Sequence, residues 1–107
     1  MTTAPKSEIM SMAGIVAYND GSIVSRQIIK ADGGNVTIFA FDQDQELSEH
    51  TASFDALVLI LDGETEIRIS GTPFHLKMGD AIIMPANEPH AVKALTRFKM
   101  LLTMVKK

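Results

Sequence analysis

Two histidines, His50 and His90, are the residues of this sequence best suited to chemistry. In an extended strand, the face of His50 would also carry three apolar residues at even spacings, Ala52, Phe54 and Ala56. Neutral imidazoles bind divalent ions such as Zn, Ni, Fe or Co, but such sites usually have three or four protein ligands. The sequence therefore leaves two hypotheses open: a metal site with few ligands, or a pair of polar anchors in a pocket for a small molecule.

Further metal ligands would have to come from carboxylates or from the third histidine, because the chain has no cysteine. Glu49 and Asp55 have the opposite strand parity from His50, so a β-bulge would be needed to turn either one inward. His75 lies between apolar residues of a strand-like run, and its parity predicts a solvent-facing side chain. The carboxylates near the two histidines in sequence are Glu46, Glu49, Asp55 and Glu88.

The elements that must position these residues are short β-strands. In ETEIRIS, residues 64–70, isoleucines alternate with polar residues, which is typical of a strand with one wet face. The pair Asp62-Gly63 joins this run to ALVLIL and predicts a tight hairpin. No long stretch has a helical period, so we expect an all-β sandwich or barrel. Turn signals recur at NDGS (19–22), ADGGN (31–35), LDGE (61–64), SGTP (70–73), KMGD (77–80) and PANEP (85–89).

The run ALVLIL, residues 56–61, does not alternate, so we expect both of its faces to be covered. The core would cover one face, and another layer or a partner chain the other. Residues 1–13 have little β pattern and are expected to form an N-terminal arm, with a single barrel domain over residues 14–107. These features favour a homodimer.

Composition limits the class of protein. The chain has 107 residues, of which 46% are hydrophobic, which is enough for one domain. Its formal charge of −3 is scattered, and no basic stripe predicts a nucleic-acid partner. The first twenty residues have neither the apolar run of a signal peptide nor that of a membrane span. We therefore expect a cytoplasmic protein with no membrane partner.

The stretch GDAIIMPANEPHAV, residues 79–92, resembles the second motif of the cupin family, in which a glycine, a Pro-x-Gly turn and a histidine follow at these intervals. Asn87 stands where the second glycine is expected, and asparagine tolerates a left-handed backbone. Residues 44–63 resemble the first cupin motif. In that comparison Ala52 and Ala56 occupy the positions of the family's second histidine and glutamate, and Asp44 replaces the leading glycine.

The resemblance implies an all-β fold of the cupin type, a double-stranded β-helix or jelly-roll barrel. It also implies that His90 meets His50 inside the barrel. We then expect a ligand pocket formed by His50, Ala52, Phe54, Met84 and His90. The alternative is an enzyme that holds a divalent metal on His50 and His90, because the family includes dioxygenases, isomerases and lyases. Proteins of the resembled family commonly form homodimers, which further supports a homodimer here. Exchange of an N-terminal strand between the two chains is one way to form it.

Overall fold

The computed structural model, which describes residues 3–106, contains nine β-strands, and five of the eight connections between them are turns identified in the sequence. The all-β prediction is confirmed, and that range contains no helix long and apolar enough to cross a membrane. The strands are β1 (Ile23–Ala31), β2 (Gly34–Phe41), β3 (Glu46–His50), β4 (Asp55–Asp62), β5 (Glu64–Ile69), β6 (Thr72–Lys77), β7 (Ala81–Met84), β8 (His90–Ala94) and β9 (Phe98–Val105).

The strands form two antiparallel sheets with a shared hydrophobic core. One sheet has the order β1-β2-β9-β4-β7, and the other has the order β3-β8-β5-β6. From β2 onward the chain changes sheet at every connection except the hairpin between β5 and β6. This alternation produces the double-stranded β-helix that the sequence predicts.

The core fills one end of the barrel with large side chains. Phe41 and Phe98 are fully buried cross-strand partners, and their stacked rings have centroids 4.5 Å apart. Such a pair contributes about 1 kcal/mol beyond its buried area. At the opposite end, Ala56 is the cross-strand partner of both Met84 and Met104. A small residue flanked by two flexible ones fills less space, so any cavity belongs at this end.

The prediction of a tight hairpin at Asp62-Gly63 is wrong. The two strands that flank it, β4 and β5, belong to different sheets, so this turn is a corner at which the chain crosses the barrel. Gly63 has a φ of 74°, and a Cβ on it would lie 1.9 Å from the carbonyl oxygen of Arg97. Glycine is therefore required both by the backbone angle and by close packing. A glycine turn suits a corner as well as a hairpin, and sequence alone does not distinguish the two.

Residues 3–22 form a layer on the outer face of the five-stranded sheet. Ala4 and Val16 are buried there against Ile28, Ile38 and Ala40. The backbone N–H of Ala4 also donates to the carbonyl oxygen of Ile28, at 3.1 Å. The described part of the predicted arm, residues 3–13, therefore packs on its own chain, and this layer continues past the predicted boundary. Residues 1, 2 and 107 lie outside the described part of the predicted arm and barrel.

Both turns that carry motif substitutions have a left-handed backbone. Asn87 has a φ of 66°, as its place in the second motif predicts, and Asp44 has a φ of 68°. Asparagine and aspartate are the non-glycine residues most often found in this region. The two replacements therefore preserve the turns that precede β8 and β3, the strands that carry the histidines.

A polar clasp, formed by Arg97 with Asp20 and Asp42, ties the N-terminal layer to the barrel. The Arg97 Nε donates to a carboxylate oxygen of Asp42 at 2.7 Å, and its guanidinium also pairs with Asp20. The backbone N–H of Gly21 donates to Asp42 as well, at 2.7 Å. The Gly21 N–H and the Arg97 guanidinium together lower the pKa of Asp42 from 3.8 to about 2.

Candidate functional site

The structure brings His50 and His90 together. His50 ends β3, His90 begins β8, and the two are cross-strand partners in the four-stranded sheet. Their rings meet edge to face with centroids 4.3 Å apart, and the two Nε2 atoms are separated by 3.1 Å. A register shift between Leu47 and His50 marks a bulge in β3 just before the pair. Local irregularity thus helps to aim His50 at its partner.

The two histidines differ in exposure. His90 is 5% exposed, whereas His50 is an exposed residue. Burial lowers the pKa of His90, the carbonyl of Glu88 opposes this effect, and the neighbouring imidazole of His50 lowers the pKa further. The neutral imidazole is therefore the favoured form of His90. His90 is thus enclosed by the barrel, whereas His50 is accessible to solvent.

The hydrogen bond made by the Nδ1 of each ring determines whether the Nε2 of that ring carries a proton. The Nδ1 of His50 lies 2.7 Å from the carbonyl oxygen of Ser48, and the Nδ1 of His90 lies 3.2 Å from that of Glu88. A carbonyl oxygen only accepts, so each Nδ1 must carry a proton and donate it. A neutral imidazole has one N–H. In the neutral pair, both Nε2 atoms therefore present lone pairs to each other.

A cavity of about 230 Å³ lies beside the histidine pair. Ala52 and Met84, both predicted as pocket residues, are on its wall, and so is Ala56. Sequence reasoning missed most of the apolar lining, which includes Phe39, Leu47, Val92, Met100, Leu102 and Met104. The alternation of β9 predicts that Met100 and Met104 face inward, but this pattern is the same whether the space beside them is filled or empty.

The placement of Phe54 in this pocket is wrong. That prediction requires a continuous strand from His50 to Ala56, but residues 51–54 are not in a strand. The alternation of side chains is therefore lost, and Phe54 lines a separate groove with Ser53 and Val105. The ammonium group of Lys106 lies 5.3 Å from the centre of its ring.

Within residues 3–106, no group of three His, Asp or Glu side chains is placed to hold a metal ion. Asp55 instead accepts the backbone N–H of Ala86 at 2.8 Å, and Glu88 accepts the hydroxyl of Ser70 at 2.6 Å. Glu46 lines a surface groove on the four-stranded sheet, and Glu49 is exposed. None of the four carboxylates considered in the sequence analysis lines the cavity.

His75 is exposed, as its strand parity predicts, and it pairs with Glu64 at 2.8 Å on the barrel surface. It is absent from the lining of the cavity. Among the described residues, the imidazole nitrogens available there are thus those of His50 and His90. Their 3.1 Å separation fits two bonds of about 2.0–2.1 Å to one metal ion. Completing a tetrahedral shell would require two ligands from outside the protein.

Solved structures similar to this chain share its fold over the full length. A conserved protein of unknown function from Streptococcus pyogenes, SPY1581, is 31% identical with a TM-score of 0.92, over 100% of this chain and 96% of that one. A cupin superfamily protein from Desulfitobacterium hafniense is 25% identical with a TM-score of 0.91, over 99% and 97% of the two chains.

A cupin 2 conserved barrel domain protein from Leptotrichia buccalis is 42% identical with a TM-score of 0.85, and the match covers 88% of this chain but 46% of that one. Comparison with curated proteins gives no significant match. The family model Cupin_2, described as a cupin domain, matches residues 37–106, which include both histidine-bearing strands. The chain therefore belongs to the cupin family.

Proposed function

We propose that this protein binds a small, mostly apolar molecule inside its barrel, with His50 and His90 as the polar end of the site. The observation that carries this proposal is the cavity of about 230 Å³, whose lining combines nine apolar side chains with two imidazoles. Ligand sites of proteins are typically concave and apolar, with few polar groups that orient the ligand.

The size of the cavity limits the ligand. An engineered apolar cavity of about 150 Å³ binds benzene, so a cavity of this volume accepts a molecule of benzene size or somewhat larger. Met84, Met100 and Met104 line it, and methionine side chains adapt their shape to different ligands. Their presence supports binding of a compact ring or a branched chain.

Two alanines favour binding over metal catalysis. Ala52 and Ala56 occupy the positions at which the first cupin motif has its second histidine and its glutamate, and both line the cavity. Each replacement removes a metal donor and enlarges the apolar space. The protein keeps the barrel of the family and two of the residues that meet inside it.

The proposal is tested by titrating the protein with fluorobenzene and observing isotope-labelled methionine methyl groups by NMR. We expect saturable shifts at Met84, Met100 and Met104. Met78 is the internal control because it is 66% exposed. The variant Ala52→Phe places a ring at the cavity wall and should weaken binding at least tenfold. Shifts of equal size at Met78 would indicate non-specific association and contradict the proposal.

A second candidate function is metal-dependent catalysis, and the convergence of the two Nε2 atoms at 3.1 Å favours it. A divalent metal on His50 and His90 would polarise a substrate oxygen or activate a water molecule, in an enzyme of the dioxygenase, isomerase or lyase class. Elemental analysis of protein purified without chelator tests this function. It requires near-stoichiometric metal that is lost in both His50→Ala and His90→Ala, and a parent that takes up no added Zn, Ni, Fe or Co contradicts it.

The partner that we propose is a second copy of this chain, docked on the outer face of β4 and β7. Leu57 and Ile83 are cross-strand partners there, 42% and 60% exposed, and Val105 nearby is 59% exposed. We name these three residues the outer patch. The N-terminal layer covers Leu61 on the same face but leaves the outer patch exposed. Contact between two such patches would bury the outward side of ALVLIL.

A further inference from the structure

The polar end of the cavity offers acceptors rather than donors. Both Nδ1 protons are committed to the carbonyl oxygens of Ser48 and Glu88, at 2.7 and 3.2 Å. When both imidazoles are neutral, they have no proton left for the 3.1 Å contact between their Nε2 atoms. A donor from outside the pair can form a hydrogen bond with one of the two Nε2 lone pairs. His90 is buried whereas His50 is exposed, so water reaches the Nε2 of His90 less readily and a ligand hydroxyl gains most by donating to it.

The lining of the cavity argues against a charged ligand. Among the described residues, no Lys, Arg, Asp or Glu side chain lines it. A carboxylate would face two lone pairs without a donor, and an ammonium group would lose its hydration without a carboxylate partner. A neutral hydroxyl loses far less hydration and supplies the hydrogen that the pair lacks. Its single hydrogen can be donated to one Nε2, and the other Nε2 lies only 3.1 Å from that acceptor.

We propose that the cavity selects neutral hydroxylated apolar molecules, phenols and short branched alcohols, whose hydroxyl donates to one Nε2 of the His50–His90 pair while the apolar body contacts the methionines. This inference rests on the proposed function, since it names the class of ligand that the same cavity takes. The hydroxyl lies beside the two imidazoles, and the hydrocarbon part contacts the methionines of the cavity wall.

The test compares three probes of similar shape: phenol, fluorobenzene and benzoate. Phenol has the donor, fluorobenzene replaces it by a group that cannot donate, and benzoate carries a negative charge. The protein is first treated with chelator, so that no metal occupies the imidazole nitrogens. Titrations are run near pH 8, above the ordinary imidazole pKa of about 6.5. The readout is again the methyl signals of Met84, Met100 and Met104.

We expect phenol to bind about fivefold more tightly than fluorobenzene, the effect of one neutral hydrogen bond. Benzoate should bind more weakly than either. In His90→Leu the preference for phenol should disappear while fluorobenzene binding persists. His50→Leu changes an exposed residue, to which folding is less sensitive, and should reduce the same preference. His75→Leu alters the exposed surface histidine and should leave all three affinities unchanged.

Each contrary result has a distinct meaning. Equal affinity for phenol and fluorobenzene would overturn the donor preference but leave the small-molecule proposal standing. Tightest binding of benzoate would show that the pair acts as a cation, and would overturn the inference in the same way. If none of the probes shifts the cavity methionines, both the proposed function and this inference fail.

Discussion

The Nε2 atoms of His50 and His90 face each other across 3.1 Å, although both rings already donate their Nδ1 protons to backbone carbonyls. Two neutral imidazoles therefore leave the contact between them without a hydrogen. A metal ion from outside would bind both nitrogens at once, whereas a ligand hydroxyl would donate to one of them. The pair is therefore compatible with either proposed function, ligand binding or metal binding, and the alanines at positions 52 and 56 favour ligand binding.

The corner at Gly63 is expected to be the backbone position of the barrel most sensitive to substitution. In Gly63→Ala the new Cβ would lie 1.9 Å from the carbonyl oxygen of Arg97 and 2.8 Å from the Cα of Phe98. Strain from the positive φ adds to this overlap, and together they should lower the free energy of unfolding by about 3 kcal/mol or more. Denaturation in urea, followed by circular dichroism, measures the change.

Gly71→Ala is the matched control for Gly63→Ala. Gly71 also has a positive φ, 82°, but a Cβ on it would meet no atom within 4 Å. This variant should lose only about 1–2 kcal/mol, the cost of the left-handed backbone alone. Equal losses in the two variants would show that packing against β9 does not explain the glycine at the corner.

The polar clasp formed by Arg97 with Asp20 and Asp42 should make the free energy of unfolding depend on pH in the acidic range. The pKa of Asp42 is lowered from 3.8 to about 2, so its carboxylate binds fewer protons in the folded state than in the unfolded state. The stability that it contributes is fully present above 3.8 and is lost as the pH falls through 2. Asp42→Asn should therefore destabilise the protein near neutral pH, and its difference from the parent should shrink toward about pH 2.

Urea denaturation of both proteins between about pH 5 and 2 tests this prediction of acid dependence. Asp32→Asn, at an exposed position in the turn between β1 and β2, is the control and should follow the parent at every pH. A difference between parent and Asp42→Asn that stays constant across this range would argue against a depressed Asp42 pKa.

Association through the outer patch predicts a dimer in solution. Ile83→Lys introduces a charge where a second copy would bury an isoleucine, and it should convert the dimer to monomer in sedimentation experiments. Ile29→Lys alters a similarly exposed isoleucine, 57% against 60%, on the opposite edge strand and should leave the dimer intact. A parent protein that is monomeric at tens of micromolar would contradict the proposed homodimer.

Strand periodicity and motif spacing predict the all-β fold, while the motif resemblance predicts the meeting of His50 and His90. They fail at Phe54 and at Asp62-Gly63, since a side-chain period applies only while the strand continues, and since long-range pairing decides which sheet each strand joins. The sequence also does not predict that residues of β9 line a cavity. Met100 faces inward whether it packs against atoms or borders a void, and that difference arises from the sizes of partners on other strands.

The most direct test of ligand binding is a crystal structure of the protein soaked with fluorobenzene, determined beside one of the Ala52→Phe variant. We predict density for the ligand ring in the parent between Met84, Met100 and the histidine pair. In the variant, the introduced phenyl side chain should occupy part of that space, and the ligand should be absent. A parent cavity without ligand at saturating probe, or a ring bound only in the groove beside Phe54, would contradict the claim that this barrel binds small apolar molecules in its interior.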